Sequence, residues 1–159
     1  MLKWDSQKIY IDSLNINYNL GIRYLPESFG SLIIRGDLVL SNNIELTILP
    51  INFWSIEIGG DLYLVNNSLE LLQPNFGNIR CGGDLNLSHN QLSELPESFG
   101  NIEIGGHLDL SNNIQTLPPN FGNIKFVGNL NLSNNELSEL PESFGRLKIG
   151  YLILIIIIL

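Results

Sequence analysis

Cysteine is almost missing from this chain. Cys81 is the single one in 159 residues, which excludes an intrachain disulfide framework and the cysteine-rich end caps that many secreted repeat proteins carry. A reducing compartment and a cytoplasmic location are the expectation. Basic residues are scarce too: eight Lys and Arg face sixteen Asp and Glu, for a net charge of -8. That balance repels phosphate backbones and anionic membranes, so nucleic acid is not an expected partner. The two histidines, His89 and His107, occupy different positions of the pattern described below, and no cysteine/histidine spacing supplies a metal site. Neither a cofactor nor an enzymatic activity is expected. Met1 to Ser13 contains Lys3, Asp5 and Lys8 and lacks an apolar stretch of signal-peptide length, so no signal peptide is read there. The apolar run from Ile149 to Leu159 has 11 residues, against the ~20 that a transmembrane span needs.

What the chain has in abundance is repetition. Gly83-Asp-Leu-Asn-Leu-Ser-His-Asn-Gln-Leu-Ser-Glu-Leu-Pro-Glu-Ser-Phe-Gly100 returns nearly unchanged at Gly128 to Gly145. Alternating apolar pairs recur at Leu14/Ile16, Leu38/Leu40, Leu62/Leu64, Leu85/Leu87, Leu108/Leu110 and Leu130/Leu132, and they predict short period-2 strands. Three residues beyond each pair stands an asparagine, at 19, 43, 67, 90, 113 and 135. Its amide can satisfy a backbone donor and a backbone acceptor where the chain turns. A leucine, usually followed by proline, comes next, and then a phenylalanine at 29, 53, 76, 99, 121 and 144. Proline fixes φ and removes a donor, so this limb is expected to be extended or turn-like. The units measure 24, 24, 23, 23, 22 and 22 residues. In the first five, the distance from phenylalanine to the next strand is always nine residues, while strand to phenylalanine varies from 13 to 15. The slack therefore lies in a surface bulge after the asparagine turn. One unit cannot bury its own apolar face, whereas a stack lines leucines and phenylalanines into continuous columns.

The consensus Leu-x-x-Leu-x-Leu-x-x-Asn-x-Leu followed by Leu-Pro-x-x-Phe-Gly-Asn resembles the leucine-rich repeat, over roughly Leu14 to Leu154. The variant Phe-Gly-Asn-Ile-x-Ile-Gly-Gly, at Phe99 to Gly106 and echoed at Phe76 to Gly83 and Phe53 to Gly60, is similar to repeats in proteins of giant DNA viruses and some bacteria. The resemblance implies a right-handed solenoid arc with a parallel concave β-sheet and a role in protein recognition. One departure stands out. Glycine replaces the first consensus leucine at Gly59, Gly82 and Gly105, with Ile58, Cys81 and Ile104 one place earlier. This predicts a second short extended segment before each concave strand, with glycines where backbones approach closely, and few or no long helices on the convex side. Cys81 reads as a small buried apolar residue in an isoleucine slot. The Gly-Gly pairs read as turn glycines, not a phosphate cradle.

A partner would meet the residues flanking each leucine pair. One column reads Ser13, Asp37, Asp61, Asp84, His107, Asn129; the next Asn15, Val39, Tyr63, Asn86, Asp109, Asn131; the third Asn17, Ser41, Val65, Ser88, Ser111, Ser133. Strands lie about 4.8 Å apart, so Asp37, Asp61 and Asp84 form a carboxylate ladder, with Asp109 one column across, suited to a basic protein or peptide. Tyr63, Val39 and Val65 make the apolar patch of that surface. Asp37, Val39, Asp61, Tyr63, Asp84, Asn86, His107 and Asp109 are thus the candidate partner contacts. The competing reading of the aspartates is structural: after glycine, aspartate caps the turn into the strand.

The expected organisation is a cap or partial repeat at 1–13, six repeats (14–37, 38–61, 62–84, 85–107, 108–129, 130–151) and an incomplete repeat or hydrophobic tail at 152–159. Trp4, Ile9 and Ile11 are candidates to cover Leu14 and Ile16. Leu152 and Leu154 fit a seventh strand, but the asparagine turn is missing, and the exposed run Ile155 to Leu159 is an aggregation hazard or a strand for self-association. A non-catalytic protein-binding module is the leading functional reading. A substrate-recognition fragment of a ubiquitin-ligase-type effector, and a truncated repeat-expansion product without a specific ligand, remain open beside it.

Overall fold

The computed structural model describes residues 9–153. The leucine pairs start the strands Leu14–Asn15, Leu38–Val39, Leu62–Tyr63, Leu85–Asn86, Leu108–Asp109, Leu130–Asn131 and Leu152–Ile153. These seven line up in chain order as one parallel sheet, leucine opposite leucine: Leu38 faces Leu62, which faces Leu85, which faces Leu108. Parallel pairing of consecutive units requires the chain to travel round a full coil between strands. The 22 to 24 residues per unit supply that path.

The second extended segment is present and forms a sheet of its own. Ile9–Ile11, Leu32–Ile34, Glu57–Ile58, Arg80–Cys81 and Glu103–Ile104 pair in parallel, and a single bridge joins Glu103 to Lys125. Alternation along these segments sends Ile34, Ile58, Cys81 and Ile104 inward, where all are buried. The limb containing the phenylalanines closes each unit as a short 3-10 turn: Glu27–Ser31, Phe53–Ser55, Phe76–Asn78, Glu97–Asn101, Phe121–Asn123 and Glu142–Arg146. Where proline precedes the longer ones, at Pro26, Pro96 and Pro141, it holds φ between -63° and -67° and launches the turn. The expectations for Trp4 and for the tail from Leu154 to Leu159 lie outside the described residues.

Between the two sheets and the 3-10 limb lies one continuous apolar core. The phenylalanines form a stack from Phe29 to Phe144 with ring centroids 6.1 to 6.4 Å apart and planes within 8° of parallel. That spacing falls in the offset-stacked range, worth ~0.5–1.5 kcal/mol a pair beyond burial. Leucines from the seven-stranded sheet and the second-sheet residues fill the remaining columns.

Two polar devices hold this stack together. The first is the asparagine ladder. Asn43 Nδ2 donates to the carbonyls of Leu40 in its own unit and Ile16 in the unit before, while its Oδ1 accepts from the N–H of Asn19. The same two-unit clamp recurs at Asn67, Asn90 and Asn135, and Asn113 likewise bonds across to Leu87. The residue ahead of each asparagine, Tyr18, Asn42, Asn66, His89, Asn112 or Asn134, has φ between 54° and 61°. That left-handed turn swings the next amide inward, and asparagine tolerates it best among residues with a Cβ.

The second device is close backbone approach at the paired glycines. None of the described glycines has positive φ; clearance is what they provide. A Cβ on Gly59, Gly82 or Gly105 would overlap the carbonyl oxygen of Arg35, Gly59 or Gly82 in the preceding unit. Val127 stands next in that column, and there the second sheet stops, with no ladder bond from Val127 N–H to Ile104 among the described residues. Val127 brings a side chain to the position where the three preceding units carry glycine against a neighbouring carbonyl.

Chemical unfolding monitors these assignments. Phe99→Ala, at a fully buried ring in the middle of the stack, is expected to lower unfolding free energy by ~3–5 kcal/mol. Gly82→Ala is expected to destabilise as well, because the clash is with backbone, whereas Gly145→Ala, with nothing within 4 Å of the added carbon, should leave the urea midpoint unchanged. Equal effects at Gly82 and Gly145 would refute the close-approach account.

Candidate functional site

The exposed face of the seven-stranded sheet carries the residues that sequence reasoning selected. Register puts Val39 beside Tyr63, Tyr63 beside Asn86, Asn86 beside Asp109 and Asp109 beside Asn131. Asp37, Asp61, Asp84 and His107 form the adjoining column at the mouth of the strands. All eight candidates are therefore on one surface, and each is partly or fully exposed. The third column behaves differently: Ser41, Ser88, Ser111 and Ser133 are buried, because the left-handed turn that follows folds the chain back over them.

The aspartate column is tied into the backbone. Asp37 Oδ1 accepts from the N–H of Asp61 at 2.9 Å, Asp61 Oδ1 from Asp84 N–H at 2.7 Å, and Asp84 Oδ1 from His107 N–H at 2.6 Å. His107 continues the series through Nδ1, which accepts from Asn129 N–H at 2.8 Å. That bond requires the neutral ring with its proton on Nε2. The glycine before each capped N–H makes the geometry possible, since a Cβ at Gly60, Gly83 or Gly106 would occupy the place of the preceding unit's Asp Oδ1. Gly-Asp is thus one device spread over two units. Sequence reasoning saw the capping role as an alternative; it missed that the capped N–H belongs to the next repeat. The recurrence of glycine before aspartate was the available signal.

One carboxylate oxygen of each aspartate is used this way, and the other differs along the column. Asp61 Oδ2 accepts from the Tyr63 hydroxyl at 2.8 Å. This hydrogen bond raises the Tyr63 pKa from 10.0 to about 12, helped by burial and then by the charges of Asp61, Asp84 and Asp37. In the middle column Asp109 Oδ1 accepts from the N–H and hydroxyl of Ser111, and its Oδ2 takes the Asn131 amide at 3.1 Å. Asn86 and Asn131 fold back on Ser88 and Ser133 in the same manner. The surface is acidic, hydrogen-bonded and preorganised, with Val39 and Tyr63 as its apolar element. Behind it, burial pushes the Cys81 thiol up to about 12, with Asp61 and Asp84 adding to the effect, which disfavours the thiolate at neutral pH.

The strand, asparagine turn, 3-10 limb and stacked phenylalanine agree with what comparison with known families shows. The family model for the leucine-rich repeat matches residues 84–102 and 128–147. The two matched stretches are two of the repeats, and the array as a whole, a parallel β-sheet with short 3-10 turns and no long helices among the described residues, is consistent with a leucine-rich-repeat solenoid. No curated protein matches it. Leucine-rich-repeat domains are in general protein-binding scaffolds and typically non-catalytic. Among the described residues, no helix is long and apolar enough to cross a membrane, and no three His, Cys, Asp or Glu side chains come together as a metal site would require.

Alkaline titration tests the Asp61–Tyr63 contact. Tyr63 is expected to ionise near pH 12, and Tyr63→Phe should remove that step. Because the folded chain holds this proton more tightly than the unfolded one, the contact's contribution is complete below pH 10.0 and is lost as pH rises to about 12. A titration curve identical in wild type and Tyr63→Phe above pH 11 would exclude the contact in solution.

Proposed function

We propose that the chain is a non-catalytic scaffold that holds a basic protein or peptide against the concave, seven-stranded face of its repeats, in a reducing compartment where its lone thiol stays reduced. The observation that carries this reading is the run of aligned carboxylates beside an apolar pair. Asp37, Asp61, Asp84 and Asp109 supply negative potential on a rigid sheet, and Val39 and Tyr63 supply the desolvated contact that anchors an interface. Asn86 and His107 complete the surface as hydrogen-bonding neighbours. Rigidity matters here, because side chains already held by internal hydrogen bonds lose little freedom on binding.

The internal bonds also dictate how the reading is tested. Aspartate-to-lysine changes would remove the Oδ1 acceptors and unfold the ladder, whereas asparagine keeps an acceptor and discards the charge. A fluorescein-labelled peptide rich in lysine and arginine is expected to bind the wild-type chain with an affinity that falls as salt is raised. Asp37→Asn, Asp61→Asn, Asp84→Asn and Asp109→Asn combined should weaken it at least about tenfold, equivalent to ~1.4 kcal/mol, with the chain still folded at the assay temperature although the second-oxygen bonds of Asp61 and Asp109 are given up. Undiminished affinity in the quadruple variant would rule out the acidic face as the contact.

A further inference from the structure

The outer sheet ends where Val127 enters the glycine column, and that interruption creates a second surface of opposite charge. Along its exposed column, register aligns Glu57 with Arg80 and Arg80 with Glu103, and the bridge carries the series to Lys125. Glu103 sits between two cations, bonded to Arg80 at 2.5 Å and Lys125 at 2.7 Å, and Lys125 foremost, then Arg80, holds its carboxyl below the usual range. One unit further on, the repeat places Lys148 in the same column and Arg146 two residues before it. Neither makes an ion pair with another described residue. A groove of about 700 Å³ runs through this region, and four of the six basic side chains among the described residues, Arg80, Lys125, Arg146 and Lys148, line it.

The floor is apolar and its backbone incompletely paired. Ile104 and Phe126 are buried beneath the groove, while Val127 is 80% exposed on its wall. In the preceding units the corresponding N–H groups close the ladder, as Gly82 does to Ile58 and Gly105 to Cys81. Val127 N–H has no such bond to Ile104, and none joins Phe126 to Lys148, among the described residues. Backbone N–H groups left without a ladder partner beside a groove can donate to an extended chain, with side chains supplying selectivity.

We propose that this groove binds an acidic peptide segment of a partner protein, in extended form, with its carboxylates on Arg146, Lys148 and Lys125 and an apolar side chain against Val127. Charge complementarity selects the occupant. A nucleic acid offers the same sign of charge, but its long, dense phosphate array would be repelled by a chain of net charge -8, and it would leave the apolar wall uncovered. A short acidic segment meets only the local positive field. Together with the acidic concave face, the chain then presents two surfaces that select partners of opposite charge.

The test uses the full chain and a fluorescein-labelled peptide of alternating glutamate and valine. Saturable binding is expected, weakened at least about tenfold (~1.4 kcal/mol) by Arg146→Glu with Lys148→Glu and less strongly by Val127→Asp. Both basic residues are exposed, so the thermal midpoint should not move. The quadruple aspartate-to-asparagine variant should bind this peptide as wild type does, which separates the proposal from the concave-face reading. Equal affinity in the Arg146→Glu, Lys148→Glu variant overturns the proposal. So does displacement of the peptide by polyphosphate or a single-stranded oligonucleotide at matched charge, which would mark a general anion site. Sedimentation showing self-association abolished by the same double variant would also overturn it, by identifying a second copy as the occupant.

Discussion

A stack of parallel coils needs partners for the backbone groups buried at its strand-end turns, and one asparagine per unit carries that task. Its amide reaches two carbonyls with Nδ2, usually one in each of two units, and takes an N–H from the preceding unit on Oδ1. Each unmet group would cost ~1–3 kcal/mol in a dry interior, comparable to the ~1.5–3 kcal/mol from burying one leucine. The apolar columns could not form around an unsatisfied turn. The left-handed residue just ahead aims the amide, so turn, ladder and column depend on one another.

The same economy of space governs the paired glycines. Their second member admits the Asp Oδ1 of the previous unit, and their first lets successive carbonyls pass within contact. Because both constraints act between units, a substitution is felt one repeat away from where it occurs. Val127 illustrates this: the bond missing among the described residues is the one from its N–H to Ile104 in the preceding unit, while the seven-stranded sheet continues to Leu152–Ile153. Nearest-neighbour coupling of this kind lets one face of a solenoid change while the other keeps its register.

Charge is partitioned by the same geometry. Parallel stacking copies a residue type into a column, and like charges in a column repel unless something between them compensates. On the inner sheet the compensation is backbone N–H, which each Asp Oδ1 accepts. On the outer sheet it is alternation of sign through Arg80, Glu103 and Lys125. Among the described residues, compensation lapses at Arg146 and Lys148, which pair with no carboxylate.

The strand pairs, the asparagine turn, the phenylalanine column and the extended segment ahead of Gly59, Gly82 and Gly105 were all legible in the sequence. A period of 22 to 24 residues places equivalent side chains in register whatever their chemistry. Less visible were the left-handed partner of each asparagine, plain in hindsight from the doublets Asn42-Asn43 and Asn112-Asn113, and the burial of the third-column serines. What only the tertiary structure decided is which group a side chain spends its atoms on. Asp61 bonds Asp84 N–H and Tyr63, Cys81 lies among the charges of Asp61 and Asp84, and Arg80, Lys125, Arg146 and Lys148 meet round one groove. Those contacts join residues of different repeats, at separations set by the closing of the coil, and no local pattern of spacing or propensity encodes a distance across it.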